Sequence, residues 1–323
     1  MILEAMAILV GFALLYLGSK WMVDGAAKLS LLLGVPPFVV GITIVAFGSS
    51  APEAALALTA ASTSSSDLAL GGIIGSNIAN MGLVLGVSAI FCPLIVKKGM
   101  LRRELGFMLL AMLLITIMAF LGGYTLEGGI ILLLIMAVFL GQMLYTIVKG
   151  YPISEEIQEE VEEEVEEALP EGKRRQLVLL IIGLVVLVGG AQAIIWGAVG
   201  IAEGLGIDSV IIGLTTIAIG TSLPELSISV AAARRNEPAF VISNILGSNI
   251  FNSLFILGMA ASISSVYVPS ELLWLEFPVM LILSGMLALV VIWRGKIGKL
   301  ESIAFLGVYA IYIALLALRM GIL

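Results

Sequence analysis

Two glutamates, Glu53 and Glu225, stand inside long apolar stretches of a 323-residue chain that is 60% hydrophobic and only 12% charged. At membrane depth a carboxylate costs about 2.5–3.5 kcal/mol on insertion scales, so each needs a partner or a task. No Lys or Arg lies near the middle of a neighbouring apolar stretch, which weakens the alternative that either glutamate only clamps helices together. Each ends a related run, G-S-S-A-P-E at 48–53 and G-T-S-L-P-E at 220–225. Gly and Pro there flank short hydroxyl-bearing stretches, Ser49 with Ser50 and Thr221 with Ser222. Proline lacks an N–H and its ring clashes with the preceding turn, so an interrupted helix is predicted, with carbonyls released near Ala46, Ser49, Ala218 and Thr221. In lipid such carbonyls persist only where they line a cavity or meet a ligand. The C-terminal end of a half-helix also favours a cation.

A second pair of runs, G-S-N-I-A-N at 75–80 and G-S-N-I-F-N at 247–252, adds neutral oxygens. Ser76 and Asn80 are four apart and share a helix face, as do Ser248 and Asn252. Interhelical hydrogen bonding competes as a role for such residues, most strongly for Asn77 and Asn249. Two carboxylates with amide, hydroxyl and carbonyl oxygens form an all-oxygen set of formal charge −2. That set suits one Ca²⁺, which takes six to eight oxygens at about 2.3–2.6 Å, better than Mg²⁺, which dehydrates reluctantly. Several Na⁺ can use the same oxygens. With one cysteine, Cys92, and no histidine, an internal disulfide and H-E-x-x-H protease chemistry are excluded and a zinc or redox site has few possible ligands.

The elements that must position these residues are apolar runs long enough to cross a bilayer, which takes about 20 residues. Ten are predicted, at 3–23, 37–61, 68–92, 104–122, 127–148, 176–198, 208–233, 239–263, 272–293 and 300–319. The first lacks the basic flank and cleavage site of a leader and reads as a span. Ten of the twenty glutamates fall between Glu155 and Glu171, where Ile157, Val161, Val165 and Leu169 recur every four residues, the pattern of a short amphipathic helix. This acidic linker, 151–175, separates the halves 1–150 and 176–323.

At an offset of 172, Gly11, Gly18, Gly25, Gly34, Gly41, Gly48, Gly75 and Gly86 align with Gly183, Gly190, Gly197, Gly206, Gly213, Gly220, Gly247 and Gly258. The same register superposes both motif pairs, so the chain is an internal duplication. Five spans per half make the second half inverted, an arrangement found in secondary transporters. With the N-terminus outside, fifteen of sixteen Lys and Arg lie at inner loops or helix ends and only Arg319 lies outside. The positive-inside rule then places both termini outside and the linker in the cytoplasm. The expected fold is therefore an all-α polytopic membrane protein, ten transmembrane helices in two inverted five-helix repeats, interrupted at the ion site. A pore would more readily be ringed by repeats around an axis along the membrane normal, so inversion favours a carrier over a channel.

G-S-S-A-P-E with G-S-N-I-A-N, and G-T-S-L-P-E with G-S-N-I-F-N, resemble the paired repeats of the Ca²⁺/cation antiporter superfamily, in its prokaryotic Na⁺/Ca²⁺ exchanger branch. The resemblance covers nearly the whole chain. It implies Glu53 and Glu225 as shared Ca²⁺ and Na⁺ ligands, with Ser49, Ser50, Ser76, Asn80, Thr221, Ser222, Ser248 and Asn252 as further contacts and the carbonyls of Ala46 and Ala218 beside them. It further implies electrogenic exchange of about three Na⁺ per Ca²⁺ in the cell membrane, with the ions and the bilayer as partners and no cofactor, nucleic acid or obligatory protein partner. Some relatives, including K⁺ co-transporters, carry Asp where this chain has Asn80 or Asn252, which argues against K⁺ dependence. The H⁺/Ca²⁺ branch has a G-N-A-x-E motif in place of G-S-N-I-x-N, which favours sodium over protons as the coupling ion; proton or other cation exchange is the alternative. The linker is too short for a regulatory domain and lacks the residue order of an EF-hand loop.

Overall fold

The structure, a computed structural model, describes residues 2–35, 37–62, 66–95, 101–149, 172–205 and 220–319. The acidic stretch from 151 to 171, Ala218 and most of the first half of the 208–233 span lie outside the described residues.

Long apolar helices dominate: α1 (Ile2–Leu33), α4 (Ala69–Phe91), α5 (Arg102–Phe120), α6 (Leu126–Lys149), α7 (Lys173–Gly204), α9 (Pro238–Ile263), α10 (Ser270–Trp293) and α11 (Lys299–Arg319). These eight are each long and apolar enough to cross a membrane. The bent pair α2 (Phe38–Ser49) and α3 (Ala51–Ser62), with 45° between its halves, passes the same test of length and composition only when the two are taken together. The sequence predicts ten; the remaining candidate contributes only the short α8 (Leu223–Ala233) to the described residues.

Burial sorts the helices into layers. Within their most apolar windows, α4 is 83% and α9 94% buried, against 22% for α1 and α11. The two G-S-N helices are thus the centre, and their small residues let the bundle close around them. Each carries a π-helical turn at its middle, Asn80–Val84 in α4 and Phe251–Ile256 in α9. A third lies in α2 at Gly41–Val45. Such turns widen a helix by one residue and occur often at functional sites.

Against this core lies a two-helix unit, α1 with α7, whose close approach depends on glycine. A Cβ at Gly18 would come 2.5 Å from the Leu187 nitrogen and 2.8 Å from the Gly183 carbonyl oxygen. One at Gly11 would lie 2.8 Å from the Gly190 oxygen, and one at Gly25 2.8 Å from that of Gln176. Rising numbers in α1 meet falling numbers in α7, so the helices run antiparallel. Gly11 therefore packs on Gly190 and Gly18 on Gly183.

Two short backbone pairings tie the loops. Strand β1 (Leu94–Ile95), after α4, pairs antiparallel with β2 (Lys296–Ile297), before α11. A single bridge joins Tyr124, between α5 and α6, to Val266, between α9 and α10. At the repeat offset Leu94 corresponds to Val266 and Tyr124 to Lys296, so the clips are repeat-related.

Candidate cation site

Helices α3 and α8 begin in the same backbone conformation. Ser50 has φ −85° and ψ 8°, and Ser222, its equivalent, φ −88° and ψ 3°. The Ser50 carbonyl accepts from Ala54 N–H at 3.0 Å, and the Ser222 carbonyl from Leu226 N–H at 3.0 Å. The predicted interruption at 48–53 therefore falls on Ser50. Glu53 and Glu225 occupy the first turns of α3 and α8, where the positive end of the helix dipole favours a carboxylate.

The fold gathers the candidate residues from both repeats. Ser49, Ser50, Glu53, Ser76, Asn80, Ser222, Glu225, Ser248 and Asn252 are all buried, and Thr221 is partly buried. Ser50 Oγ donates to Glu225 Oε1 at 3.0 Å, and Asn252 Nδ2 donates to Ser76 Oγ at 3.2 Å. Asn80 Nδ2 donates to Asn249 Oδ1 at 3.3 Å, and Asn77 Nδ2 to Ser253 Oγ at 2.9 Å. Each of these four bonds crosses from one repeat to the other. Glu53 and Thr221 also line one small cavity together.

What those bonds leave over defines the chemistry. Both oxygens of Glu53, Oε2 of Glu225, Oδ1 of Asn80 and Asn252, and Oγ of Ser222 and Ser248 are buried without a hydrogen-bond partner. The asparagine NH₂ groups are engaged while their carbonyl oxygens are not. Leaving one such group bare costs about 1–3 kcal/mol, so the cluster is a set of acceptors with unused capacity for a cation. Two carboxylates and neutral oxygens, with no Lys or Arg paired to either glutamate among the described residues, are matched to cations that prefer oxygen.

One expectation is not met. The Ala46 carbonyl is not released: it accepts from Ser50 N–H at 3.1 Å and from Ser49 Oγ at 3.3 Å, because α2 stays helical through Ser49. Asn77 and Asn249 act in part as the interhelical hydrogen-bonding residues weighed for them. Ser253 had no signal, since its repeat equivalent is Met81.

A bent pair of apolar helices, α8 and the two G-S-N helices gather buried carboxylates and amides at the centre of a helical membrane protein. The chain belongs to the sodium/calcium exchanger protein family, whose profile matches residues 3–145 and 175–318. It is 36% identical over 313 residues to the uncharacterized membrane protein MJ0091 of Methanocaldococcus jannaschii, covering 97% of each chain. It is 30% identical to the sodium/calcium exchanger MaX1 of Methanosarcina acetivorans, covering 96% of this chain and 97% of that one. Its fold matches the solved structure of the sodium-calcium exchanger NCX_Mj with a TM-score of 0.84 at 34% identity, covering 97% of this chain and 98% of the other.

Proposed function

We propose that this chain exchanges Na⁺ for Ca²⁺ across the cell membrane by alternating access, with Glu53 and Glu225 as ligands shared by both ions. The observation that carries the reading is the cluster of buried, unpartnered oxygens at the meeting of the two repeats. Ser49, Ser50, Ser76, Asn80, Thr221, Ser222, Ser248 and Asn252 complete the set, with the carbonyls of Ala46 and Ala218 beside them. A cage with two bare carboxylates is costly at membrane depth, so it crosses loaded with one ion type or the other, and coupling follows.

Parity supports ten crossings in two halves, 1–150 and 176–323, around the linker 151–175. Paired loop segments must share one side of the membrane. Between β1 and β2 stand α5, α6, α7, α9 and α10, and the number of crossings is even only if the stretch ending in α8 also crosses. The Tyr124 to Val266 bridge makes the same demand. Antiparallel α1 and α7 require an even number between them, which needs the α2 and α3 pair to cross beside α4, α5 and α6. With the Lys and Arg placement this supports outside termini and a cytoplasmic linker.

The repeats are alike in sequence but not in packing, which favours alternating access. Helix α1 packs along α8, whereas the equivalent pair, α7 and α3, is not packed in the same way. Interchanging those two arrangements would close one side and open the other. The test is Ca²⁺ flux in proteoliposomes under Na⁺, H⁺ and K⁺ gradients imposed one at a time. Sodium alone should drive it; equal flux on a proton gradient would overturn the coupling.

A further inference from the structure

One helical turn beyond Glu225, on the side where Arg234 ends α8, the second repeat carries a polar pair that the first lacks. Ser229 and Asn244 are fully buried, and Asn244 Nδ2 donates to Ser229 Oγ at 3.2 Å. Asn244 Oδ1 is buried with no partner. At the repeat offset these positions are Ala57 and Gly72. In the first repeat Ala57 and Gly72 are not packed shut: with Glu53, Ile73 and Thr221 they line a cavity of about 10 Å³ that opens on the carboxylate. That volume is near the space of one water.

The first repeat thus has a gap leading away from its glutamate where the second has an amide oxygen and a hydroxyl. We infer that Ser229 and Asn244 form an additional neutral-oxygen station for a monovalent cation, the step between the central cage and the Arg234 face. Two neutral oxygens cannot offset a divalent charge away from the carboxylates, which suits the station to Na⁺ passing through. Its Oδ1 stays unpartnered because the passing ion is its partner. Ions entering from the opposite face meet Ala57 and Gly72 at the equivalent positions, so the two faces of the carrier differ in how readily they accept Na⁺.

The inference rests on the proposed exchange, and the test separates the two. Na⁺-dependent Ca²⁺ flux is measured with the full chain in right-side-out and inside-out vesicles, titrating Na⁺ on one face at a time. Ser229→Ala with Asn244→Gly, which makes the second repeat match the first, should raise half-saturating Na⁺ on the Arg234 face about fivefold, the order of one lost neutral contact, and leave the other face unchanged. Ala57→Ser with Gly72→Asn, the reciprocal graft, should shift only the opposite face, and it keeps the question answerable if the first pair folds poorly. Equal shifts on both faces, or no shift in either double variant, would overturn the station while leaving the exchange intact. Absence of Na⁺-dependent flux in the unaltered chain would overturn the proposed function and the station with it.

Discussion

Glu53→Gln and Glu225→Gln each remove half of the formal charge of the cage, and neither leaves a new bare carboxylate in the bilayer. Each is expected to abolish Ca²⁺ transport while yielding as much folded, membrane-inserted protein as the unaltered chain; retained flux in either would remove the glutamates from the site. Asn80→Ala and Asn252→Ala should weaken Na⁺-driven flux more than Ca²⁺ binding, because amide oxygens supply the neutral positions that sodium ions need beyond the two carboxylates. A binding isotherm for Ca²⁺ beside a Na⁺ titration of flux checks this, and equal losses would count against it. Asn80→Ala also strands Asn249 Oδ1, so its melting temperature should fall, consistent with about 1–3 kcal/mol for an unmet buried acceptor. Most of these residues were legible from the sequence because duplication repeats the signal: a glutamate in an apolar run is ambiguous once and pointed twice. Ser229, Asn244 and Ser253 were not, since their equivalents are Ala57, Gly72 and Met81. The engaged Ala46 carbonyl was not legible either, because composition says that a helix breaks near a proline and not on which residue.

Helices were the easier part to read, since an apolar run of bilayer length admits few other structures. Predicted and observed bounds agree closely for α5 and α11, whereas α1 and α7 extend well past their apolar runs, to Leu33 and Gly204. The excess has a packing cause: the two long helices continue along each other over the glycines. Gly18→Leu should therefore be costly, because its Cβ already meets backbone atoms that cannot move aside. Overpacking of this kind costs about 1–3 kcal/mol, and thermal unfolding followed by size exclusion in detergent should show a lowered midpoint. Gly189, on the partner helix α7 but with no neighbour within 4 Å of an added Cβ, is the control, and Gly189→Leu should leave the midpoint nearly unchanged. If both substitutions act alike, the seam is not the reason for the glycines.

For the whole molecule, three Na⁺ against one Ca²⁺ moves one net positive charge with the sodium, and an elementary charge gains about 2.3 kcal/mol per 100 mV. An inside-negative potential should then speed Ca²⁺ extrusion in vesicles clamped with K⁺ and valinomycin; indifference to voltage would point to two for one. A cysteine placed between residues 155 and 169 in a Cys92→Ala background should react with an impermeant label only from the cytoplasmic side. Labelling from outside in intact cells would undo the topology. The glycine seam has one more consequence. Gly11 meets Gly190 and Gly18 meets Gly183, and at the repeat offset these are the same two positions seen from either partner. An interface in which position i contacts j and j contacts i is isologous, the arrangement of a two-fold dimer. A substitution at a seam position is therefore felt by the opposing repeat as a change at its own mate. A half-length chain inserted in both orientations would make this same seam with itself, so the fused molecule holds as an intramolecular contact what two opposed copies of one half would form as a dimer.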